Sequence, residues 1–315
     1  MLTRGLAQRI KEQGPTGVLA RQFLPDSAED SPLGLVDPIG DQTHAKSSQL
    51  IHRYENRALL VPTTTCPVNC RYCFRKNELG SDEFFAQEKE RTLNYLLAHP
   101  EIEEIIFTGG DPLILSNERL GLWLELLTEI PSIRFIRFHS RVPVVLPKRL
   151  DHELAQLLNR FAERFRFVMV VHSNHESEWS EEAIERVRSF AGSGLLWLSQ
   201  SVLLKGVNDS AGELARLFRF LTQLGIRPYY LHHPDQVRGG MHFCLSLEEG
   251  RRIWGELHNQ LPGWMLPQYV IDIPGGHGKV AAFNPETHTF SGTLLDRHGR
   301  AVAVSAPLTD NANHP

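Results

Sequence analysis

Cys66, Cys70 and Cys73 place three of the chain's four cysteines within eight residues, in TTTCPVNCRYCFRKN (63–77), at the spacing C-x3-C-x2-C. Four cysteines so distributed do not make a disulfide framework. One reading is a structural zinc site completed by Cys244 or a histidine, although structural zinc usually closes four ligands with paired knuckles. The other reading is an iron–sulfur cluster, which this local density of thiolates favours. A cubane held by three cysteines leaves one iron without a protein ligand, free to bind a substrate or a second cofactor. A plain electron carrier would supply a fourth thiolate and would not need 315 residues.

Other stretches carry side chains capable of chemistry. FTGGDPL (107–113) sets Gly109, Gly110 and Asp111 at the end of an apolar run, where two glycines let a backbone approach a ligand closely. By itself it reads as a tight turn before a helix capped by Ser116 or Asn117. His139, Ser140, Arg141, His172 and Gln200 also stand at strand ends, where each alone reads as a satisfied rim group. YVIDIPGGHGKV (269–280) runs through a glycine-rich turn to Lys279, by default a solvated surface lysine. HRYENRALL (52–60), with Arg53, Tyr54 and Arg57, by default reads as a charged surface.

The elements that must position these residues follow a rhythm. Apolar strand-like runs at 58–64, 104–110, 133–140, 166–174, 195–204 and 228–233 alternate with helical spacing at 84–99, 118–130, 152–165, 181–194, 211–225 and 247–261. Strands this apolar are those of a buried parallel sheet. The expectation is an α/β fold, a parallel (β/α)6 partial TIM-type barrel whose chemistry sits at the C-terminal ends of the strands. Residues 1–50 read as a polar, irregular segment after one short helix, 51–285 as the catalytic domain, and 286–315 as a C-terminal β-hairpin and tail turning at Asp296–Gly299.

The cysteine stretch, with Tyr72 as the aromatic before the last thiol, resembles the hallmark of radical S-adenosylmethionine enzymes. The resemblance implies a 4Fe-4S cluster on Cys66, Cys70 and Cys73, whose open iron chelates S-adenosylmethionine and cleaves it to a 5′-deoxyadenosyl radical. It puts Tyr72 against the adenine and Gly109, Gly110 and Asp111 at the loop that holds the amino group. Ser140, His172 and Gln200 become further contacts to that cofactor.

P-G-G-x-G-K near the C-terminus, H-R-Y-x-x-R before the cluster loop, RVPVVLP (141–147), SQSVLLKGVND (199–209) and PYYLHHPDQVRGGMHF (228–243) are similar to segments of the lysine 2,3-aminomutases. The resemblance covers about residues 50–285 and places two cofactor sites in the family's order. It implies that Lys279 forms a Schiff base with pyridoxal 5′-phosphate, with Arg53 and Arg57 near the phosphate and Tyr54 against the ring. Arg75 falls on the arginine that pairs with the substrate carboxylate. Asp235, and Asp272 following the last strand, fall on the acids that bind the distal ammonium of lysine. They argue against a glutamate substrate, while another cationic amino acid such as arginine stays open. The implied reaction is migration of the 2-amino group to carbon 3, giving β-lysine. The small size is closer to the branch that makes β-lysine for elongation factor P. His277 stands where the family has a glycine, and HRYENR lacks the family's proline. The alternative is a radical S-adenosylmethionine enzyme without pyridoxal phosphate, acting on a protein or nucleic acid.

Composition bounds the partners. A net charge of −4 argues against a general nucleic-acid binder. No apolar run approaches the roughly 18 residues of a membrane span, and MLTRGLAQRIKEQG has no apolar signal core. Reduced thiols and the absence of a leader suit the cytoplasm. A small amino-acid substrate and an electron donor such as flavodoxin or ferredoxin are the implied partners, with a homo-oligomer left open.

Overall fold

The apolar runs become strands of one sheet in the computed structural model, which describes residues 1–77, 85–190, 194–283, 293–295 and 301–303. Strands β1 (Leu50–Tyr54) and β2 (Arg57–Thr63) form an antiparallel hairpin with Tyr54 opposite Arg57. From β2 the sheet runs parallel through β3 (Glu104–Gly109), β4 (Phe135–Ser140), β5 (Arg166–His172), β6 (Leu196–Val202), β7 (Arg227–His232) and β8 (Gln268–Ile273). A last strand, β9 (Gly278–Ala281), folds back antiparallel on β8. The nine strands lie in sequence order, and a hydrogen bond from the Lys279 amide to the Tyr54 hydroxyl reaches from β9 to β1. The sheet is a nearly closed barrel.

Helices α1 (Arg4–Gln13) and α2 (Val18–Phe23) precede the sheet. Helix α3 (Phe85–Ala98) follows β2, α4 (Asn117–Thr128) follows β3, and α5 (Val142–Val145) with α6 (His152–Arg160) follow β4. Then α7 (Glu181–Phe190), α8 (Ala211–Gln223) and α9 (Leu247–His258) follow β5, β6 and β7. Six strand–helix units result, as the apolar rhythm implies, with β8 as a further parallel strand. Side-chain oxygens of Ser116, Asp151, Ser210 and Ser246 accept amide hydrogens in the first turns of α4, α6, α8 and α9, which fixes where those helices begin.

The period-two alternation of a strand sorts side chains into two sets. Ile105, Phe107, Ile136, Phe138, Phe167, Met169, Val171 and Trp197 point outward into the core shared with the helices. Their neighbours Ile106, Thr108, Arg137, His139, Val168, His172, Leu198 and Gln200 line the barrel's interior. Burying the first set forces the second into the lumen, because a one-residue slip would exchange them.

Three expectations need adjusting. Residues 1–50 are less irregular than their polarity suggests: Leu6, Ile10, Leu19, Ala20 and Phe23 of α1 and α2 join the main core. The charged run HRYENR is not a surface loop but the end of β1, the turn and the start of β2, where alternation turns Arg53 inward beside Ile51. The helix expected over 152–165 stops at Arg160 and ends in a turn. At the C-terminus β10 (Thr293–Leu295) and β11 (Ala301–Ala303) pair antiparallel as the expected hairpin does, and the turn at 296–299 lies outside the described residues.

Candidate active site

One cavity of about 1000 Å³ occupies the barrel interior and takes in both ends of the expected machinery, the cysteine loop and Lys279. That volume is at the upper end for ligand sites, enough for more than one small molecule.

The cysteine loop leaves β2 and is tied to the end of β3 by Gly110 N to Thr63 O (2.8 Å) and Asp111 N to Thr65 O (2.9 Å). A Cβ on Gly110 would lie 2.2 Å from Thr65 O, so this approach requires glycine. Cys66, Cys70 and Cys73 all face the cavity. Burial pushes their thiols up, Cys73 to about 11. A coordinated cation reverses that preference and deprotonates the thiols it binds. Among the described residues no three His, Cys, Asp or Glu side chains converge on a single ion. Three cysteine donors lining one wall fit a cluster that offers each thiolate a separate iron. Cys244 is outside the cavity, its thiol 3.7 Å from Asp235 O. Cys244→Ala is therefore expected to keep a full load of iron and sulfide after anaerobic reconstitution. Loss of about a quarter or more would make it a ligand.

Behind the cysteines, several expected contact residues turn out to hold one another. Asp111 accepts from Ser140 Oγ (2.7 Å) and Leu113 N (3.1 Å) on one oxygen, and from Arg141 N (2.7 Å) and Val142 N (3.1 Å) on the other. Its carboxylate thus joins the ends of β3 and β4. Ser140 is 1% exposed and does not line the cavity, so its hydroxyl serves Asp111. Tyr72 lies in the cavity wall, its phenol hydrogen-bonded to the Arg141 guanidinium. Arg141 is anchored in turn by buried Glu178 at 3.1 Å. Nothing in HSNHESE (172–178) marks Glu178 as more than a surface acid. His172 and Gln200 line the cavity as expected. His172 Nε2 is 3.3 Å from His139 Nδ1, and burial holds both rings neutral, His172 down to about 3.

Asp272 lies within β8, where the sequence suggested it followed the last strand. It stands directly across the ladder from Lys279, with Nζ 2.5 Å from Oδ2. The seven-residue spacing is the hairpin's geometry: Gly275, Gly276 and Gly278 take φ of 86°, 86° and 87° and reverse the chain between the two. Arg53 Nη1 is 3.6 Å from the other Asp272 oxygen, and His232 Nδ1 is 3.7 Å away. Burial would raise the Asp272 carboxyl, but these cationic and imidazole partners hold it well below the usual range.

Asp235 behaves in the opposite way. It makes no ion pair with a described residue, and burial, reinforced by the charge of Asp272, lifts it to about 7. Arg57 lays its guanidinium 3.9 Å over the Tyr54 ring. Arg75, 7% exposed, bonds Thr108 Oγ1 at 3.0 Å and Asp41 at 2.5 Å. Asp41 was missed by sequence reasoning, because DPIGDQTH (37–44) looks like an ordinary polar turn. Arg53 Nε, His139 Nε2 and His232 Nε2 are buried without a hydrogen-bond partner among the described residues. Buried polar atoms are rarely left so, and these face a cavity able to supply a ligand. One amine, two guanidiniums, a phenol ring and unpartnered nitrogens can hold a ligand carrying both a carbonyl and an anionic group.

The Radical SAM superfamily model matches residues 60–218, from β2 into α8. The L-lysine 2,3-aminomutase of Escherichia coli (strain K12) is 37% identical over 280 residues, 88% of this chain and 81% of the relative. That of Haemophilus influenzae is 38% identical over 246 residues, 78% and 72% of the two chains. That of Clostridium subterminale is 33% identical over 275 residues, 86% of this chain and 65% of its own length. Superfamily membership carries a 4Fe-4S cluster and S-adenosylmethionine with it. Among the described residues no helix is long and apolar enough to cross a membrane. A three-cysteine loop at the end of β2, a parallel barrel around one cavity and relatives matched over most of their length agree: the chain belongs to the L-lysine 2,3-aminomutase family of the radical SAM superfamily, a family of isomerases.

Proposed function

We propose that the protein converts L-lysine to β-lysine, using pyridoxal 5′-phosphate on Lys279 together with the cluster and S-adenosylmethionine. The observation that carries this reading is the pair of partly buried Lys279 with buried Asp272 in the same cavity as Cys66, Cys70 and Cys73. A lysine paired with a buried carboxylate in that cavity has no structural purpose that an apolar residue would not serve better, since taking an ion pair out of water costs desolvation on both sides.

When bound, the cluster with S-adenosylmethionine supplies hydrogen-atom abstraction, and pyridoxal phosphate supplies an aldehyde that carries the migrating nitrogen. The chain's own groups do the rest. Cys66, Cys70 and Cys73 hold the cluster, and the Gly109–Gly110 turn lets S-adenosylmethionine lie close to the backbone. Tyr72 packs on its adenine, and His172 and Gln200 line its side of the cavity. Lys279 presents its amine, while Arg53 and Arg57 face the phosphate and Tyr54 the ring. Arg75 takes the substrate carboxylate, for which a planar guanidinium is matched. Asp235 takes the distal ammonium. Asp272 already accepts a primary ammonium, that of Lys279, at 2.5 Å. The barrel walls exclude water, which keeps these charge-assisted contacts strong.

The acid without a partner makes a pH prediction. Burial opposes its charge and pushes the Asp235 carboxyl up to about 7, and an ammonium ligand requires the ionised form. KM for L-lysine should therefore fall as pH rises from about 6 to about 8, and Asp235→Asn should flatten that dependence. The same shift lowers stability. With a folded value above the unfolded one, Asp235 destabilises the ligand-free fold progressively as pH rises through about 4 to about 7. Asp235→Asn should raise Tm at about pH 8 without substrate, and an unchanged Tm would mean that this carboxyl is not strained by burial.

Borohydride reduction of the protein incubated with pyridoxal phosphate, followed by peptide mass spectrometry, tests the reading. The expected result is a pyridoxyl group on Lys279. Label confined to other lysines, or none, would overturn the pyridoxal assignment and favour a radical enzyme without that cofactor.

A further inference from the structure

Strands β1 and β9 are the two edges of the sheet and do not pair with each other. Residues 37–45 touch both β1, where Ala45 bridges Ile51 and Ile39 O accepts from Arg53, and the turn that leads into β9. Asp37 folds this strap into a turn by accepting from Asp41 N and Gln42 N, both at 3.0 Å. Gly40 has φ 70°, and a Cβ on it would lie 2.2 Å from Gly276 N. His44 Nε2 is 2.9 Å from Gly276 O. The strap is thus pressed against the glycine-rich turn that precedes Lys279, and the residue after Gly40 is directed into the cavity.

That residue is Asp41, 4% exposed. One of its oxygens accepts from Arg53 Nη2 at 2.8 Å, and the other from Arg75 Nη2 at 2.5 Å. Arg53 continues to Asp272 at 3.6 Å, and Asp272 to Lys279 at 2.5 Å. The wall of the cavity is therefore a row of alternating charge, Arg75, Asp41, Arg53, Asp272, Lys279. Asp41 is the link between its two guanidiniums.

We propose that Asp41 is a positioning residue that sets the spacing and orientation of Arg53 and Arg75, and so the register between an anion on one and a carboxylate on the other. The proposal deepens the functional reading above and rests on its assignment of Arg53 to a phosphate and Arg75 to the substrate carboxylate. A guanidinium presents its donors in a rigid fork, so fixing one Nη fixes where the others point. Arg53 Nε is left without a partner under this arrangement, still available to a ligand. Without the carboxylate, two like charges in a dehydrated cavity would repel and the anchor common to both side chains would be lost, although Arg53 keeps Ile39 O and Arg75 keeps Thr108 Oγ1.

The test uses Asp41→Asn, which keeps shape and removes charge, and Asp41→Glu, which keeps charge. The anaerobically reconstituted enzymes are assayed for KM and kcat with L-lysine. Dissociation constants for pyridoxal phosphate are measured by absorbance without turnover, with iron content and Tm as controls. Asp41→Asn should raise KM for lysine at least about tenfold while kcat changes less than about threefold, and should weaken pyridoxal phosphate at least about threefold at an unchanged iron load. Asp41→Glu should recover most of the KM. Unchanged values would overturn the proposal, and tighter binding would too, because Asp41 would then be competing with ligands for Arg53 and Arg75. Should Asp41→Asn fail to fold, Asp41→Glu decides: a KM raised about threefold or more supports positioning and an identical KM overturns it. If the wild type binds pyridoxal phosphate and leaves lysine unconverted, the functional reading fails. The pyridoxal phosphate constants still decide the role of Asp41, weakening in Asp41→Asn supporting it and equality overturning it.

Discussion

Replacing Lys279 with arginine is expected to abolish formation of the β-amino acid, by at least about a thousandfold, while the protein keeps its iron and still cleaves S-adenosylmethionine slowly. The two functions should separate because they sit on different elements, Lys279 on β9 and the cysteines on the loop after β2. Arginine is the informative replacement. It keeps a cation beside Asp272, whose carboxylate is 8% exposed as a residue and would otherwise lose its nearest partner. Lys279→Ala should fail equally in turnover, but with a lower Tm, because the buried Asp272 carboxylate loses its nearest cation and keeps only the longer contacts to Arg53 and His232 among the described residues. An arginine variant with wild-type turnover would remove Lys279 from the chemistry. A variant that also loses iron would show that β9 supports the cysteine loop.

Asp235→Asn is expected to lower kcat/KM for L-lysine at least about tenfold, because a charge-assisted contact is worth roughly 1.5–3 kcal/mol and each 1.4 kcal/mol is a factor of ten. Norleucine, which lacks the ammonium, should be a poor substrate of the wild type and should lose little in the variant. Asp272→Asn should behave differently, although sequence alone puts the two acids in one role. Asp272 touches Lys279 and lies 3.6 Å from Arg53 and 3.7 Å from His232. Its loss disturbs the groups proposed to hold the cofactor, so lysine and norleucine should both suffer. Kinetics with the two substrates check this directly. Equal losses for both in Asp235→Asn would show that this acid supports the fold rather than selecting a cation.

Much of this was legible in the sequence for physical reasons. A parallel strand covered on its outer face by helices is largely apolar, so runs such as EIIFTG and FVMVVH identify β3 and β5 unaided. The cysteine spacing and the glycines before Lys279 are local, and local patterns survive without knowledge of the fold. What stayed hidden depends on long-range placement. Strand β1 reads as charged because two of its five residues, His52 and Arg53, are polar cations or near-cations, yet the lumen of this barrel holds the carboxylates of Asp41 and Asp272 and takes Arg53 inward beside them. Ser140 looks like a rim contact by position, and only the approach of β4 to β3 reveals that its hydroxyl serves Asp111. Asp41 belongs to a strap whose importance arises from the edge strands it bridges, and those lie far apart in the chain.

The most direct test of the central claim is anaerobic incubation with dithionite, S-adenosylmethionine, pyridoxal phosphate and either L-lysine or L-arginine, with chromatography of the amino acids. The account predicts β-lysine from lysine, dependent on all three additions, and little or no product from arginine. Cleavage of S-adenosylmethionine with lysine recovered unchanged would contradict it, as would a preference for arginine.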